Sequence, residues 1–528
     1  MKAIEYILTG KEMQLYDKNT IEKLGVPSLV LMEQAALAAL EEIEKEMPLR
    51  DKRILILSGT GNNGGDALAL ARLLWLKEAL VKVVLVSNSL PKKISFTNEA
   101  GQQYEIIQKM GIPVVTELPS DSYDMIIDGI FGVGLNRKIE GKTAELIALV
   151  NSYSGRKISL DIPSGVDATT GQIHGVAFYA HKTITFAFYK RGLFFSPGSE
   201  YCGERIKKTI GITQHSFLGS KPKMAALNEK ITSYLPKRPD TGHKGTFGKI
   251  LIVAGSRKVA GAAYLAAKAA FLSGCGMVKI CISKSQYEAV FSLLPEAMYD
   301  CYDSVEEIPS LLEKSIPWAD IIIMGPGMGL EEEGQKLWEI VIQGEKKPLV
   351  LDADGLTLLA KKENSFLLEH LQKKKESQRV LVLTPHPAEL ARLVGQSMEE
   401  IDRNWEEILK QYAKKMKAVM VRKNARTIIC DEGKELMLNL SGNQGMATAG
   451  SGDVLCGIIG AFLAVFSVPY EAVTAAVYCH GLAGDLMARK KGCHSMMAGD
   501  LLDALPLLFR EGEDRDLSSV SKGKLLKD

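Results

Sequence analysis

The sequence lacks the features that would place it outside the soluble globular proteins. Its 528 residues include only 8 cysteines, none in a CxxC pair. That excludes a dense disulfide framework and reads as reduced thiols. No His/Cys cluster has the spacing of a zinc site. A formal net charge of +2 gives no overall field to attract nucleic acid or an acidic membrane. No apolar run reaches the roughly 20 residues of a spanning helix. The most apolar stretch, residues 457–468, stops at Pro469 and is expected to be a buried helix. The opening Met1-Lys2-Ala3-Ile4-Glu5 lacks the apolar core of a signal peptide. A cytoplasmic protein with no membrane and no nucleic-acid partner is therefore expected. Internal repeats are also absent. What is present is 46% hydrophobic and 24% charged, the balance of a chain with a substantial core. Its length suits about two to four domains.

Short β-branched runs alternate with helical patterns, which favours parallel sheets covered by helices. Strands are expected at residues 53–57, 81–86, 125–128, 157–161 and 183–188, with helix at 67–76. Residues 11–46 have Leu, Met and Ala at helical spacing. The pattern breaks over 216–248, where Pro222, Pro236, Pro239, Gly242 and Gly245 suggest a linker and a first loop. A second alternating series follows, with strands expected at 249–254, 277–282, 320–324, 348–351, 380–383 and 418–421. The Ala-rich helix expected at 262–272 implies close packing on a sheet. The domains are placed at 1–220 and 226–512, with a charged, disordered tail at 513–528.

Loops just past strand ends are where open parallel sheets bind ligands. The first such loop is Ser58-Gly59-Thr60-Gly61-Asn62-Asn63-Gly64-Gly65-Asp66. Its glycines let backbone N–H groups face an anion beside a helix N-terminus. Without the Lys-Ser/Thr ending of a P-loop it does not read as an ATP-hydrolysis site, and a tight turn alone would explain it. Asp128 and Asp161 each end a strand and open the second and third loops. Each could merely cap a following helix; taken with the first loop they read as a site. Asp128 is expected on the rim, outside the core. Asn63, Asp128 and Ser164 offer only hard oxygens, suited to an alkali or alkaline-earth cation.

The series GTGNNGGD, DGIFGVGLNR and DIPSGVDATTG resembles, in order and spacing, the NAD(P)H-hydrate epimerase family across nearly all of the first half. The resemblance implies an α/β, Rossmann-like three-layer domain. It implies that Asn62, Asn63, Gly64, Gly65, Asp66, Gly132, Val133, Gly134, Leu135, Asn136, Arg137 and Lys138 hold the hydrated dinucleotide. Asn63, Asp128 and Ser164 would hold a potassium ion, and Asp161 would contact substrate near the reacting ring. The two epimers differ at one hydroxyl-bearing ring carbon, so inversion needs an acid/base group. Asp161 is the candidate, with Lys190 as electrostatic helper. The chain departs from the family near Lys190, where Tyr189 and Arg191 replace prolines and His181-Lys182 precede the strand.

In the second half, Gly442-Asn443-Gln444-Gly445-Met446-Ala447-Thr448-Ala449-Gly450-Ser451-Gly452-Asp453 leads into an apolar helix. Gly450 and Gly452 permit close approach to phosphate at the helix start, and Asp453 stands in its first turn as a proton acceptor. The bland alternative is a capping Asp. This motif resembles the ribokinase-like superfamily. Taken with HKGTFG from His243, GAA from Gly261, GPGMG from Gly325, DADGL from Asp352 and TPHPAE from Thr384, it resembles the NAD(P)H-hydrate dehydratase branch of that superfamily. The resemblance implies a ribokinase-like α/β domain in which Ala262, Gly327, His386 and Asp453 contact the hydrate. Lys423, Asn424, Ala425, Arg426, Thr427 and Gly452 would contact the adenine nucleotide. Asn424 stands where the family has glycine, and asparagine tolerates a left-handed backbone better than most residues.

The combined resemblance implies repair of the small-molecule hydrates of NADH and NADPH, with ADP as phosphoryl donor, magnesium on its phosphates and a homo-oligomeric assembly. A rival reading is a small-molecule kinase fused to a non-catalytic Rossmann-like binding module. A kinase would leave a stable phosphoester, whereas the repair enzyme would release phosphate.

Overall fold

The structure, a computed structural model, describes residues 4–87, 95–119, 121–228, 235–236, 238–344, 346–364 and 380–510. The tail expected at 513–528 lies outside the described residues. The chain divides into two compact units, one of Glu5–Met224 and the other from Ala225 onward with Ile4.

In the first unit a seven-stranded sheet runs in the order Val114–Val115, Leu80–Leu85, Arg53–Ser58, Met125–Gly129, Arg156–Leu160, Lys182–Phe186 and Glu204–Lys208. Every neighbouring pair is parallel. Side chains alternate across a strand, and the central strand shows the consequence. Ile54 and Ile56 join a core with the Ser28–Glu44 and Asn62–Leu76 helices, while Leu55 and Leu57 join one with Ile147 and Val150 of the Gly141–Asn151 helix. Three layers result. Strand order reverses between Arg53–Ser58 and Met125–Gly129, so the loops leaving their carboxyl ends diverge and open a crevice there.

The helical pattern at residues 11–46 is two helices, Gly10–Glu22 and Ser28–Glu44. Thr9 and Glu12 form a capping box on the first, and Gly25, with φ +78°, turns the chain before Pro27. The strand expected at 183–188 stops at Phe186 because Ala187 takes a left-handed φ of +61°. A two-residue strand, Tyr189–Lys190, then pairs in parallel with Ile4–Leu8.

The second unit's sheet runs Met298–Tyr302, Met277–Ser283, Lys249–Val253, Ile321–Met324, Leu349–Leu351, Leu381–Leu383, Ala418–Arg422, Ile428–Cys430 and Leu436–Leu438. It is parallel up to Ala418–Arg422 and antiparallel beyond it. The Ala-rich helix Gly261–Leu272 lies against the apolar helix Ser451–Val465. A Cβ on Gly457 would fall 2.2 Å from the Ala266 carbonyl oxygen, so glycine is required for that approach.

The linker expected over 216–248 contains more structure than that. Phe217 is buried and packs its ring at 4.6 Å from Tyr16, and Met224–Leu227 is a fully buried strand beside Leu436–Leu438. Four residues reading MAAL are too few to show strand alternation amid Pro and Gly. All eight cysteines are unpaired. No described helix is long and apolar enough to cross a membrane.

Candidate functional site

A cavity of about 740 Å³ occupies the crevice of the first unit. Asn62, Asn63, Asp66, Gly132, Val133, Gly134, Leu135, Asn136, Arg137 and Asp161 line it, together with Lys190. Gly64, Gly65 and Lys138 are not among the lining residues. The two glycines serve packing instead. A Cβ on Gly64 would lie 2.0 Å from the Gly59 carbonyl oxygen, and one on Gly65 would strike the Met32 side chain.

The wall of the cavity is built by strand ends. Asp161 follows Arg156–Leu160 with φ +64°, a left-handed conformation that costs a non-glycine residue about 1–2 kcal/mol. Its N–H donates to Ile184 O at 2.7 Å, which fixes the turn. Lys190 is fully buried; its ammonium donates to Asp161 Oδ1, to Thr185 Oγ1 at 3.0 Å and to Phe186 O at 2.8 Å. The departures at Tyr189 and Arg191 thus still deliver Lys190 to Asp161. Asp161 Oδ2 faces Gly132, whose missing Cβ would sit 3.8 Å away. One oxygen is held by lysine and the other faces a cavity-lining glycine.

Two more carboxyls share this wall. Burial, then Asp161, raise the Asp66 carboxyl well above its ordinary range. Burial and Asp161 also raise Asp17, which projects from Gly10–Glu22 and lines the cavity. Asp17 escaped the sequence reading because nothing in a helix pattern tells a site-facing Asp from a solvated one.

Asp128 corrects an expectation. It is not on the rim but fully buried in the Met125–Gly129 strand. Ser164 Oγ donates to its Oδ1 at 2.6 Å and Ser164 N–H to its Oδ2 at 2.8 Å, with Ile130 N–H and Ser159 Oγ completing four bonds. Burial pushes the carboxyl up to about 6 against the pull of these donors. The strand end is covered by the loop carrying Ser164, a tertiary placement that sequence does not show. Phe131 links the expected cation ligands: its N–H donates to Ser164 Oγ at 2.9 Å, and its carbonyl accepts from Asn63 Nδ2 at 3.0 Å. Asn63 Oδ1 is buried with no hydrogen-bond partner among the described residues. A buried carboxylate, an orphaned amide oxygen and a hydroxyl in one cluster fit a monovalent cation held by oxygen. Among the described residues no group of three His, Cys, Asp or Glu side chains could hold a metal.

In the second unit, Gly450 takes φ +90° and starts the Ser451–Val465 helix, which places Asp453 in the first turn. Burial first, and the Asp352 carboxylate second, push the Asp453 carboxyl up to about 7, with Lys423 opposing. That suits a group that must gain a proton near neutral pH. A Cβ on Gly452 would lie 3.4 Å from Asp352 Oδ2 and 3.5 Å from Lys423 Nζ. Ala262 and Gly327 adjoin, since a Cβ on Gly327 would sit 3.1 Å from Ala262 Cβ. His386 caps the Pro387–Val394 helix, its Nδ1 accepting the Glu389 N–H, while its ring stays half-exposed. Lys423 N–H donates to Pro385 O at 2.9 Å and joins this loop to the 423–427 segment.

Asn424 does not use the left-handed backbone that asparagine tolerates; its side-chain oxygen accepts the Ala425 N–H at 2.8 Å. Arg426 donates to Leu440 O at 3.0 Å, and Thr427 Oγ1 lies 3.4 Å from Asn424 O. Sequence reading gave no role to His480 or Asp485. His480 lies 3.0 Å from Ser451 O, and Asp485 accepts from Gly442 N–H and Asn443 Nδ2. Both brace the glycine-rich segment from the Pro469–Lys491 helix. A His and an Asp inside one long helix carry no spacing that would reveal this.

The fold and sites define a two-unit α/β protein: one unit has a strand-end crevice with a buried Lys–Asp pair, and the other has a glycine-framed aspartate at a helix start. Residues 28–192 match the family described as YjeF-related protein N-terminus, and residues 250–507 match NAD(P)H-hydrate dehydratase. The bifunctional NAD(P)H-hydrate repair enzyme Nnr of Moorella thermoacetica is 35% identical over 98% of this chain and 99% of its own. The Nnr of Thermofilum pendens is 36% identical over 94% of this chain and 95% of its own. A solved structure of the ADP/ATP-dependent NAD(P)H-hydrate dehydratase from Bacillus subtilis, co-crystallised with ATP and Mg2+, is 30% identical, with a TM-score of 0.46. It covers 54% of this chain and 97% of its own. The chain belongs to the family of bifunctional NAD(P)H-hydrate repair enzymes.

Proposed function

We propose that this chain restores hydrated NADH and NADPH, its first unit interconverting the hydrate epimers and its second dehydrating one epimer at the expense of ADP. The observation that carries the reading is family membership over the whole length, with the Lys190–Asp161 pair and the Gly450-framed Asp453 both in place. In the first unit the ring hydroxyl leaves as water after taking a proton, a ring iminium remains, and water returns to either face and gives its proton back. Asp161 moves that proton through Oδ2 while Lys190 holds Oδ1. In the second unit Asp453 takes the proton of the ring hydroxyl, whose oxygen attacks the terminal phosphorus of ADP as AMP leaves. The ring nitrogen then expels phosphate, and loss of a ring proton restores the dihydronicotinamide. Magnesium would travel on the nucleotide phosphates, with the 423–427 segment and Gly452 holding the nucleotide. The test is incubation of a hydrate epimer mixture with ADP, followed by absorbance of the dihydronicotinamide. Its growth only when ADP is present supports the reading, and no growth removes it.

ADP is expected to saturate the enzyme at lower concentration than ATP, and a clear ATP preference in saturation curves would defeat that. We place the protein in the cytoplasm, where eight unpaired thiols persist. A homo-oligomeric assembly is proposed with it: a solution mass that is a multiple of 57.7 kDa would support it, and the mass of one chain would remove it.

Potassium is proposed at Asn63, Asp128 and Ser164, where it would neutralise Asp128 and tie three loops together. Epimerisation without ADP is therefore expected to be faster in potassium than in tetramethylammonium buffer. Because Asp128 is buried, Asp128→Ala is also expected to destabilise the first unit, at roughly 1–3 kcal/mol for each stranded donor. Equal rates in both buffers would remove the cation, and an unchanged melting temperature would remove the structural role.

A further inference from the structure

The first residue of the DADGL motif, Asp352, lies beneath the glycine-framed helix. Asp352 follows the Leu349–Leu351 strand and is fully buried. Lys423 follows the Ala418–Arg422 strand and places its ammonium 2.5 Å from Asp352 Oδ1. Asp352 Oδ2 accepts from Cys456 Sγ at 3.3 Å, one turn past Asp453 on the Ser451–Val465 helix. Together with the close approach of both side chains to Gly452, this puts an ion pair against the turn that carries Asp453.

We propose that Asp352 and Lys423 are positioning residues that set the basicity of Asp453 from below, Asp352 strengthening the base and Lys423 limiting that effect. This rests on the reading of Asp453 as the base of the dehydration. A carboxylate alone at this spot would repel the ionised base and hold it protonated at neutral pH. An ammonium alone would make it too weak to take a hydroxyl proton. The pair leaves an intermediate setting. Both groups depend on each other: Lys423 holds the Asp352 carboxyl below its usual range against burial, and Asp352 raises Lys423 against burial.

Among the described residues, Glu389 and His386 also face the Asp352–Lys423 pair; burial raises the Glu389 carboxyl and lowers the His386 imidazole. Asp354 adds a further negative charge near Asp453. His480, from Pro469–Lys491, is held neutral by burial, which lowers it to about 4. Cys456 is kept a thiol by burial. On the Gly261–Leu272 helix, Lys268 is bonded to Tyr264. Lys244 lies in the Lys244–Phe247 turn, near the far end of the helix, where Gly248 meets Ala464.

The test is the pH dependence of kcat for dehydration in the full-length enzyme at saturating ADP and hydrate. The activity rises as Asp453 loses its proton. Asp352→Asn removes a negative neighbour, so the rising limb is expected to move down by about one pH unit. Lys423→Met removes a positive neighbour, so the limb is expected to move up by a similar amount. The double variant, which carries no charge in the pair, is expected to return towards the wild-type limb. It also keeps the test open if Asp352→Asn alone, with a stranded ammonium, fails to fold. Limbs that do not move, or two single variants that move the limb the same way, overturn the proposal. Asp453→Asn separates the two readings. If it is inactive while the limbs stay fixed, only the positioning role fails; if it stays active, the base and its positioning both fail.

Discussion

Asp453→Asn is expected to lose about 10²–10⁴ of the ADP-dependent dehydration rate, the range for removing a positioned general base. Asparagine matches the carboxylate in shape and cannot accept the proton. The environment of Asp453 explains why the loss should be deep: burial and Asp352 push its carboxyl up to about 7, near the pH at which it must act. Epimerisation should be untouched, since Asp161 and Lys190 belong to the other compact unit. Single-turnover assays of both reactions on one preparation check this. Near-normal dehydration would take Asp453 out of the mechanism.

Asp161→Asn is expected to abolish epimerisation and to destabilise the first unit together. Lys190 is fully buried, and its ammonium relies on Asp161 for its countercharge. Removing one partner of such a pair leaves an uncompensated buried charge, costing about 3–5 kcal/mol. Replacing both, Asp161→Asn with Lys190→Met, should restore much of the melting temperature and none of the activity. That split distinguishes a catalytic pair from a structural one. Activity recovered in the double variant would show that the pair only holds the fold.

Much of this was legible in the residues because strand-end loops carry their chemistry in short contiguous segments. Asn62, Asn63 and Gly132 to Arg137 are read from two loops, and the sheet brings both to one cavity. What escaped depends on contacts between distant segments. Asp128 ends a strand as expected, but its burial comes from a loop 36 residues further on. Gly64 and Gly65 look like phosphate-cradling glycines, and only the close approach of Gly59 and Met32 shows why they are needed. Asp17 and His480 lie inside helices whose patterns record burial, not function.

The most direct measurement is the extent of conversion when an epimer mixture is treated with excess ADP, with phosphate and AMP counted against restored dihydronicotinamide. A chain carrying both activities converts the whole mixture and releases one phosphate and one AMP for each cofactor restored. Asp161→Asn should stop near the fraction held by one epimer. Conversion by the wild type that halts at that same fraction, or a stable phosphoester in place of free phosphate, would contradict the account.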